Sequence, residues 1–402
     1  MLSKDVVYYN KEQLQDELHA ILKYWSSETI NPETGQFYGE ISGVGVPDIY
    51  ASKGIIMYAR IMWTFSAAAQ FYNDTQYIKT ADIARECIEN SFFDKKNGGY
   101  YWEISHDEKP VVTKKQVYAQ AFVLYAYAEY YKATKQQHAL NKALDIFHLL
   151  QTHCYDSVYG GYFEAFSENW DKLDDVRLSE RDLNLPKGMN TNLHVLEAYT
   201  CLLQATQNAE VSHALEKLVS VFTTHIIDKK GHVVIFFTEN WTPQTHEISY
   251  GHDIETSWLL CEACKTINNK TLIERTRPIV LKMVDIFLCE GYDEQAHAVL
   301  YEYNTKTKHL DTDRHWWVQV EAMEGLAHAY TLTQNKEYLT IAFSIWKYVS
   351  TYFIDKTHGE WFWRVSQDNI PYLEDPKISM WKCPYHSARA LMQIITKLRT
   401  IF

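Results

Sequence analysis

A turn followed by a short aromatic segment recurs six times along this chain of 402 residues. The copies are INPETGQFYGEIS (30–42), FDKKNGGYYWEIS (93–105), YDSVYGGYFEAFS (155–167), IDKKGHVVIFFTE (227–239), YDEQAHAVLYEYN (292–304) and IDKTHGEWFWRVS (354–366). From the second copy onward they begin 62 to 72 residues apart. Self-similarity at a regular period indicates a repeat architecture, in which each unit buries its apolar face against its neighbours.

One residue with a short polar side chain begins the turn in every copy. The position is occupied by Asn31, Asp94, Asp156, Asp228, Asp293 and Asp355. Such a side chain can accept hydrogen bonds from its own turn, and the glycine found in most copies tolerates a positive φ. We therefore expect six turns of the same construction.

Two helices fit between consecutive copies, and the sequence shows the periodicity of both. The first helix of each pair is rich in alanine, aromatic and buried-type polar residues, and covers 53–72, 113–133, 188–207, 251–267 and 314–333. The second is amphipathic with a charged face, and covers 75–92, 137–152, 211–226, 270–289 and 337–352. Helix 11–25 adds an outer partner at the start, and helix 380–400 adds an inner one at the end. Helices that are apolar nearly all round belong inside.

Six helical hairpins whose inner members close a ring form an all-α (α/α)6 barrel of six inner and six outer helices, and we predict a single domain over residues 1–402. The aromatic strand-turns all leave outer helices and lead into inner ones. They must therefore gather at one end of the ring. The N-terminal ends of the inner helices would line a pocket there, with their dipoles pointing in.

Polar and aromatic side chains recur at the starts of the inner helices, where they would face this pocket. Six hairpins supply them, as Arg60, Tyr118, Asn190, His194, Glu197, His252, Glu255, Trp316, Trp317, Glu321, Trp381 and His386. A lone histidine in an apolar helix is usually a packed core residue. Buried polar groups are costly unless they are satisfied, however, and their coincidence at equivalent positions of a repeat predicts a functional cavity.

Two of these histidines, His252 and His386, come from well separated helices and could face each other across a substrate. A histidine takes or gives a proton near neutral pH without a cofactor, which suits proton abstraction next to a carbonyl group. No H-x-x-x-H or H-E-x-x-H spacing surrounds them, and we expect no metal. The chain has no G-x-S-x-G elbow for a serine hydrolase. Cys261 and Cys264 form a C-x-x-C without a second ligand pair, so we expect no zinc or redox chemistry there.

The formal net charge is −12, from 39 basic and 51 acidic residues. An acidic surface repels phosphate backbones, so nucleic acid is not an expected partner. Residues 1–10 lack the pattern of a signal peptide, and no window reaches the roughly 18 apolar residues of a membrane span. The seven scattered cysteines suit a reducing compartment. We expect a cytoplasmic protein with no membrane partner.

Four motifs, MNTNLHVLEAY, SYGHDIETSWLL, WWVQVEA and WKCPYHSARA, resemble the N-acylglucosamine 2-epimerase superfamily, and most closely its cellobiose 2-epimerase branch. The similarity extends along the full length and includes the YGGYFEAFSENW loop. The resemblance implies an (α/α)6 barrel and a cofactor-independent isomerase. Its substrate would be a small sugar, a β-1,4-linked disaccharide whose reducing-end glucose and mannose units are interconverted. The oligomeric state is left open between a monomer and a homodimer.

The resemblance also implies roles for the candidate residues. The catalytic pair falls on His252 and His386, and the substrate-binding or supporting positions fall on Arg60, Tyr118, Asn190, His194, Glu255 and Trp381, with one or both of Trp316 and Trp317 as an aromatic platform. After the pyranose opens, one histidine would remove the C2 proton and the other would return a proton to the opposite face. Arg60 and His194 would stabilise the enediolate oxygen. Glu255 would orient His252 or assist ring opening.

Three alternatives remain open at this point. The nearest is a mannose 2-epimerase or mannose isomerase of the same superfamily, acting on monosaccharides. The second is a glycoside hydrolase, because (α/α)6 barrels also carry inverting hydrolases with two carboxyl groups about 6.5–9.5 Å apart. Glu164, Glu255 and Glu321 are the candidate acids for that reaction. The third is a sugar-binding protein without catalysis.

Overall fold

Twelve α-helices form two concentric layers in the computed structural model, which describes residues 4–399. They are α1 (Lys4–Ser27), α2 (Ile55–Tyr72), α3 (Ile78–Cys87), α4 (Val117–Thr134), α5 (Gln137–Leu149), α6 (Met189–Thr206), α7 (Ala209–Val221), α8 (Tyr250–Ile267), α9 (Lys270–Glu290), α10 (Trp316–Thr333), α11 (Lys336–Tyr352) and α12 (Tyr385–Arg399). Each even-numbered helix packs on the next, and α12 packs on α2. The ring therefore closes, and the fold is the predicted (α/α)6 barrel.

Burial separates the two layers in the way that the sequence pattern predicts. Helix α4 is buried along nearly its whole length, from Val117 to Tyr130. Helix α5 instead buries one stripe, Ala139, Ala143, Ile146 and Phe147, with the spacing of a single helix face. Inner helices are therefore enclosed on all sides, while outer helices keep a face in solvent.

Two inner helices begin four or five residues later than predicted, and the others begin within two residues of the prediction. Helix α4 begins at Val117 rather than 113, because the residues before it form a short strand. Helix α12 begins at Tyr385 rather than 380. Pro384 explains the second difference, because a proline disfavours helical backbone in the residue before it and is itself tolerated at a helix start.

Sixteen strands of two or three residues lie between the described helices. They are β1 (Glu40–Ile41), β2 (Pro47–Asp48), β3 (Lys53–Gly54), β4 (Glu103–Ile104), β5 (Pro110–Val112), β6 (Lys115–Gln116), β7 (Ala165–Phe166), β8 (Lys187–Gly188), β9 (Phe236–Phe237), β10 (Glu247–Ser249), β11 (Tyr292–Asp293), β12 (Ala298–Val299), β13 (Glu302–Asn304), β14 (His309–Asp311), β15 (Arg314–His315) and β16 (Arg364–Val365). All pairs are antiparallel.

These pairs join neighbouring repeats around the ring. The strand that leads into each inner helix from α2 to α10 pairs with the aromatic segment of the following repeat, as β3–β4, β6–β7, β8–β9, β10–β13 and β15–β16. Ile378, before α12, bridges to Ile41 in the first copy. The strand-turns therefore form a closed cycle at the end of the ring where the inner helices begin.

All six turns have the predicted construction. The Oδ1 atom of the first residue accepts the backbone N–H two residues later, in the pairs Asn31–Glu33, Asp94–Lys96, Asp156–Val158, Asp228–Lys230, Asp293–Gln295 and Asp355–Thr357. The left-handed position that follows is a glycine in five copies, such as Gly98 with φ 74°, and His297 with φ 57° in the fifth. A common side-chain bond thus fixes the turn in every copy, with or without glycine.

A polar side chain at the fourth position of four inner helices holds the adjacent aromatic turn. Its oxygen accepts a backbone N–H at 2.7–2.9 Å, in the pairs Gln120–Tyr100, Asn192–Tyr162, Asp253–Val233 and Gln319–Val299. The three amides also donate to the carbonyl of the same residue. This repeated contact fixes the starts of the inner helices and was not among the features predicted from the sequence.

Within residues 4–399, no helix combines the length and the apolar character that a bilayer span requires.

We predict that Gln319→Leu destabilises the fold by about 2–4 kcal/mol, because it leaves the buried N–H and C=O of Val299 without partners. Chemical denaturation of the purified variant measures the free energy of unfolding. The exposed Gln244 supplies the matched control Gln244→Leu, for which we expect a change within about 0.5 kcal/mol. Equal stability of the two variants would contradict this role of the amide.

Candidate functional site

Three histidines lie near the N-terminal ends of inner helices, at the end of the ring that carries the strand-turns. They are His194 in α6, His252 in α8 and His386 in α12. The indole of Trp317, in the first turn of α10, lies against two of them, with ring centroids 4.9 Å from His252 and 5.8 Å from His386. The structure thus brings the two predicted catalytic histidines to one aromatic ring.

His386 is oriented by a buried carboxylate. Its Nδ1 lies 2.6 Å from Oε1 of Glu321. Burial lowers the pKa of His386 well below its ordinary value, and the charges of Arg60 and Arg389 act in the same direction. We assign the neutral tautomer that donates its Nδ1–H to Glu321, and Nε2 then carries the free lone pair.

His252 is oriented by a hydroxyl group instead. Its Nδ1 lies 2.8 Å from Oγ of Ser249, the residue immediately before α8. Burial lowers the pKa of His252 to about 3, and the nearby charge of His194 contributes. The ring is therefore neutral near pH 7, and the contact with Ser249 leaves its Nε2 free.

His194 forms a third pair on the wall of the site. Its Nδ1 lies 2.9 Å from Oε2 of Glu197, one turn further along α6. The rings of Tyr118 and Phe122 pack against it, at centroid distances of 4.9 and 4.6 Å. Burial lowers the pKa of His194, although Glu197 opposes the change.

Arg60 is buried beside these aromatic rings. Its Nη2 donates to the hydroxyl of Tyr118 at 2.7 Å, and its Nη1 donates to the carbonyl of Trp381 at 3.3 Å. The guanidinium also lies over the rings of Phe122 and Tyr385. Within the described part of the chain, no carboxylate forms an ion pair with it. A buried positive charge with neutral partners is suited to hold a negative oxygen.

The adjacent tryptophans of α10 have different surroundings. Trp317 is half-buried and lies against His252 and His386, whereas Trp316 is buried against Trp363 with the Nζ of Lys382 over its ring. The ring of Trp316 also lies 6.4 Å from that of His386, but Trp317 is the indole that contacts both histidines.

Asn190 lies one turn before His194 on α6. Its Oδ1 is buried and has no hydrogen-bond partner. An unpartnered buried amide on the face that carries His194 is the kind of group that a ligand satisfies.

Arg389 lies at the centre of the site, although the sequence analysis did not single it out. Its Nη1 lies 2.5 Å from Glu197, and its Nη2 lies 2.5 Å from Glu321 and 3.3 Å from Glu255. The side chain is fully buried. The sequence feature that could have indicated it is a charged residue within an inner helix, three residues after His386.

One guanidinium thus holds carboxyl groups in different protonation states. Burial alone would raise the pKa of Glu197, but Arg389 and His194 lower it to about 2. Burial and the charge of Glu321 raise the pKa of Glu255 well above its ordinary value, against Arg389. Glu197 is therefore ionised near pH 7, whereas Glu255 keeps its proton to a higher pH than an ordinary carboxyl group does.

Glu255, Glu321 and His386 each have a side-chain atom that could bind a metal ion, and these three atoms lie within 4.8 Å of one another. Among the described residues this is the cluster with metal-ligand geometry, and Cys261 and Cys264 are not part of it. Both carboxyl groups, however, already accept hydrogen bonds from Arg389, whose charge repels a cation. We therefore interpret these carboxyl oxygens as partners of the Arg389 guanidinium and not as metal ligands.

The acids that a hydrolase would need are engaged in other contacts. Glu164 accepts hydrogen bonds from the N–H of Gly188 and the hydroxyl of Thr191, both at 2.7 Å, at the start of α6. Glu255 and Glu321 lie closer together than the 6.5–9.5 Å of inverting hydrolases and share Arg389. This geometry argues against inverting hydrolysis.

Comparisons with known proteins agree with this description. The sequence model of the family N-acylglucosamine 2-epimerase (GlcNAc 2-epimerase) matches residues 35–390. The chain is similar to a cellobiose 2-epimerase of Bacteroides fragilis, with 37% identity over 387 residues that cover 96% of this chain and 98% of that protein. It is similar to a cellobiose 2-epimerase of Dictyoglomus turgidum, with 36% identity over 384 residues that cover 94% and 96%.

A solved structure shows the same likeness in three dimensions. The cellobiose 2-epimerase from Spirochaeta thermophila DSM 6192 superposes with a TM-score of 0.93 at 34% identity, covering 99% of this chain and 98% of that one. The likeness therefore extends over the whole ring of helices.

We predict that Arg389→Met lowers the free energy of unfolding at pH 7 by about 3–5 kcal/mol, because it leaves buried carboxylates without a cation. The variant should lose less at pH 5. In the parent protein the depressed pKa of Glu197 gives a stabilisation that is kept at pH 5 and lost only as the pH falls below the ordinary value of 4.5. In the variant the buried carboxylates take up protons between pH 7 and pH 5, so their cost decreases over this range.

Denaturation at both pH values measures the difference. Arg275→Met, at an exposed position of α9, is the control and should be nearly neutral at each pH. A loss for Arg389→Met that is independent of pH would contradict the role given to the guanidinium.

Proposed function

The chain belongs to the N-acylglucosamine 2-epimerase family and is a carbohydrate epimerase, an isomerase, and from this premise we propose that it acts on cellobiose and related β-1,4-linked disaccharides. It interconverts the glucose and mannose forms of the reducing-end unit. The observation that carries the proposal is the pair of neutral imidazoles, His252 and His386, against the single indole of Trp317.

Opening of the pyranose ring comes first, since only the open aldehyde makes the C2 proton acidic. The raised pKa of Glu255 favours its protonated form, and a carboxyl oxygen of Glu255 lies within 4.8 Å of a ring nitrogen of His386 and a carboxyl oxygen of Glu321. Glu255 accepts a hydrogen bond from Arg389, whereas the partner of His252 is Ser249. Proton transfer during ring opening therefore suits Glu255 better than orientation of His252.

Epimerisation then requires one base and one acid on opposite faces of C2. A neutral histidine removes the C2 proton through its free Nε2, and the electron pair delocalises into the carbonyl to give an enediolate. The second histidine must be protonated when it returns a proton to the other face. For His386, the neutral carboxyl of Glu255 beside Glu321 is a proton source within the same cluster.

The negative charge that develops on the enediolate oxygen needs a fixed positive partner. The buried Arg60 has neutral partners, Tyr118 and the carbonyl of Trp381, and keeps its charge available. Preorganised donors of this kind supply a large part of the rate in many enzymes. His194, held through Nδ1 by Glu197, presents its Nε2 edge as a second polar contact.

The indole of Trp317 provides an apolar face for the C–H groups of the sugar beside the two bases. Asn190 offers an unpartnered Oδ1 to a sugar hydroxyl. Return of the proton to C1 in place of C2 would give the ketose, so a minor isomerase activity is expected from the same residues.

We predict that His252→Asn and His386→Asn each lower kcat for the epimerisation of cellobiose by about 10²–10⁴-fold, since each removes one proton-transfer group. Polarimetry or chromatography of the product measures the rate, and circular dichroism checks the fold. His213→Asn, at an exposed position of α7, is the matched control and should keep full activity. Substantial turnover by either active-site variant would refute the two-base assignment.

We predict that the reaction in heavy water places deuterium at C2 of the product, because the abstracted proton exchanges through the histidines. Nuclear magnetic resonance of the isolated product locates the label. An unlabelled C2 would contradict exchange through solvent-accessible bases and would indicate direct hydrogen transfer or a shielded base.

We predict a higher kcat/KM for cellobiose than for mannose or N-acetylglucosamine. Product profiles by chromatography from the three sugars provide the comparison. Conversion of mannose with no reaction of cellobiose would support the alternative, a mannose 2-epimerase or mannose isomerase, and release of two monosaccharides from cellobiose would support a hydrolase.

A further inference from the structure

A second cavity lies at the opposite end of the ring from the histidines. It has a volume of about 270 Å³ and is lined from the middle and C-terminal parts of five inner helices, α2, α4, α6, α8 and α12. The strand-turns and the starts of these helices lie at the other end. The cavity therefore lies beyond the histidines and adjoins the site described above.

Two residues form the boundary between the cavity and the histidine site. Glu197 and Arg389 line the cavity, and both also belong to the cluster that orients the histidines. Oε2 of Glu197 lies 2.9 Å from Nδ1 of His194. Its Oε1 accepts hydrogen bonds from Arg389 and from the hydroxyl of Tyr385. A change in hydrogen bonding on the cavity side would thus act on a carboxylate that contacts His194.

The walls of the cavity combine aromatic rings with polar groups at the rim. Trp63, Tyr125 and Trp258 supply the rings. At the rim, the charged side chains are already paired, such as Lys132 with Glu129 at 2.8 Å. A lining in which opposite charges balance favours a neutral ligand over an ion.

One residue of the cavity lining carries a buried donor without a partner. The indole Nε1 of Trp63 is buried and makes no hydrogen bond among the described residues. Buried polar atoms without a partner are rare in folded proteins, and a ligand or water commonly satisfies them. This donor is a second observation, beyond the volume, that points to a polar ligand.

We propose that this cavity is a second binding site for a neutral polyhydroxyl compound of monosaccharide size. A cavity of about 150 Å³ is enough for a six-membered ring, so 270 Å³ accommodates one with hydroxyl groups. Apolar ring faces with hydrogen-bonding groups at the edges match the two kinds of surface that a pyranose presents. Occupation of the site alters the pKa of His194 through Glu197.

Methyl β-D-glucopyranoside is a suitable probe, because its glycosidic methyl group prevents ring opening and turnover. Binding is measured by calorimetry and located by crystallography, for the parent protein and for Ala67→Phe, which fills the cavity from α2. Thr396→Trp, at an exposed position of the cavity lining, is a second blocking variant that does not disturb the core. Ala209→Phe, at the exposed start of α7, is the matched control.

We expect density for the glycoside in the cavity, and binding that at least one of the two blocking variants weakens at least about tenfold, or 1.4 kcal/mol, with no change in the control. Saturating glycoside should also shift the titration of His194 followed by nuclear magnetic resonance in the parent protein but not in a blocked variant. Absence of binding, density only beside His252 and His386, or equal affinity in the blocked variants would overturn the proposal. These measurements do not involve turnover, so they are independent of the disaccharide substrate proposed above.

Discussion

The site depends on one buried guanidinium. Arg389 is fully enclosed at the centre of the ring and donates to Glu197, Glu255 and Glu321. A buried charge is stable only when it is paired, and buried carboxylates have the same requirement. The guanidinium and the carboxyl groups can therefore be buried only together. Glu197 and Glu321 in turn orient His194 and His386. The paired charges of Arg389 and the carboxyl groups thus position His194 and His386, and burial lowers the pKa of both histidines and favours their neutral form.

The fold delivers these side chains to one place by repetition. Each aromatic turn is fixed by its own Asp or Asn, and four of the six are also held by a polar residue one turn into an inner helix, as Gln120 holds Tyr100. Because the strand before each inner helix pairs with the next repeat, the helix starts are tied into a cycle that Ile41 and Ile378 close. Rigid starts on separate helices thus bring His252 and His386 into contact with one indole.

Much of this was predictable from the sequence, because the repeat spacing and the burial pattern are local signals. The ring of six hairpins, the six Asx turns and the position of the two histidines were all read from such patterns. Arg389 was not, since its importance lies in contacts with Glu197, Glu255 and Glu321, which lie 68 to 192 positions away and which no local pattern encodes. The partner of His252 was also missed. Ser249 precedes the helix, and its contact depends on the backbone path into α8.

The central claim is that two imidazoles flank one carbon atom of an opened sugar. The most direct test is a crystal structure with cellobiitol, an acyclic reduced analogue that binds without reacting. The account predicts C2 between the rings, with the Nε2 atoms of His252 and His386 each within about 3.5 Å of it, on opposite faces. A ligand whose C2 lies beside only one imidazole, or outside the contact of Trp317, would contradict it.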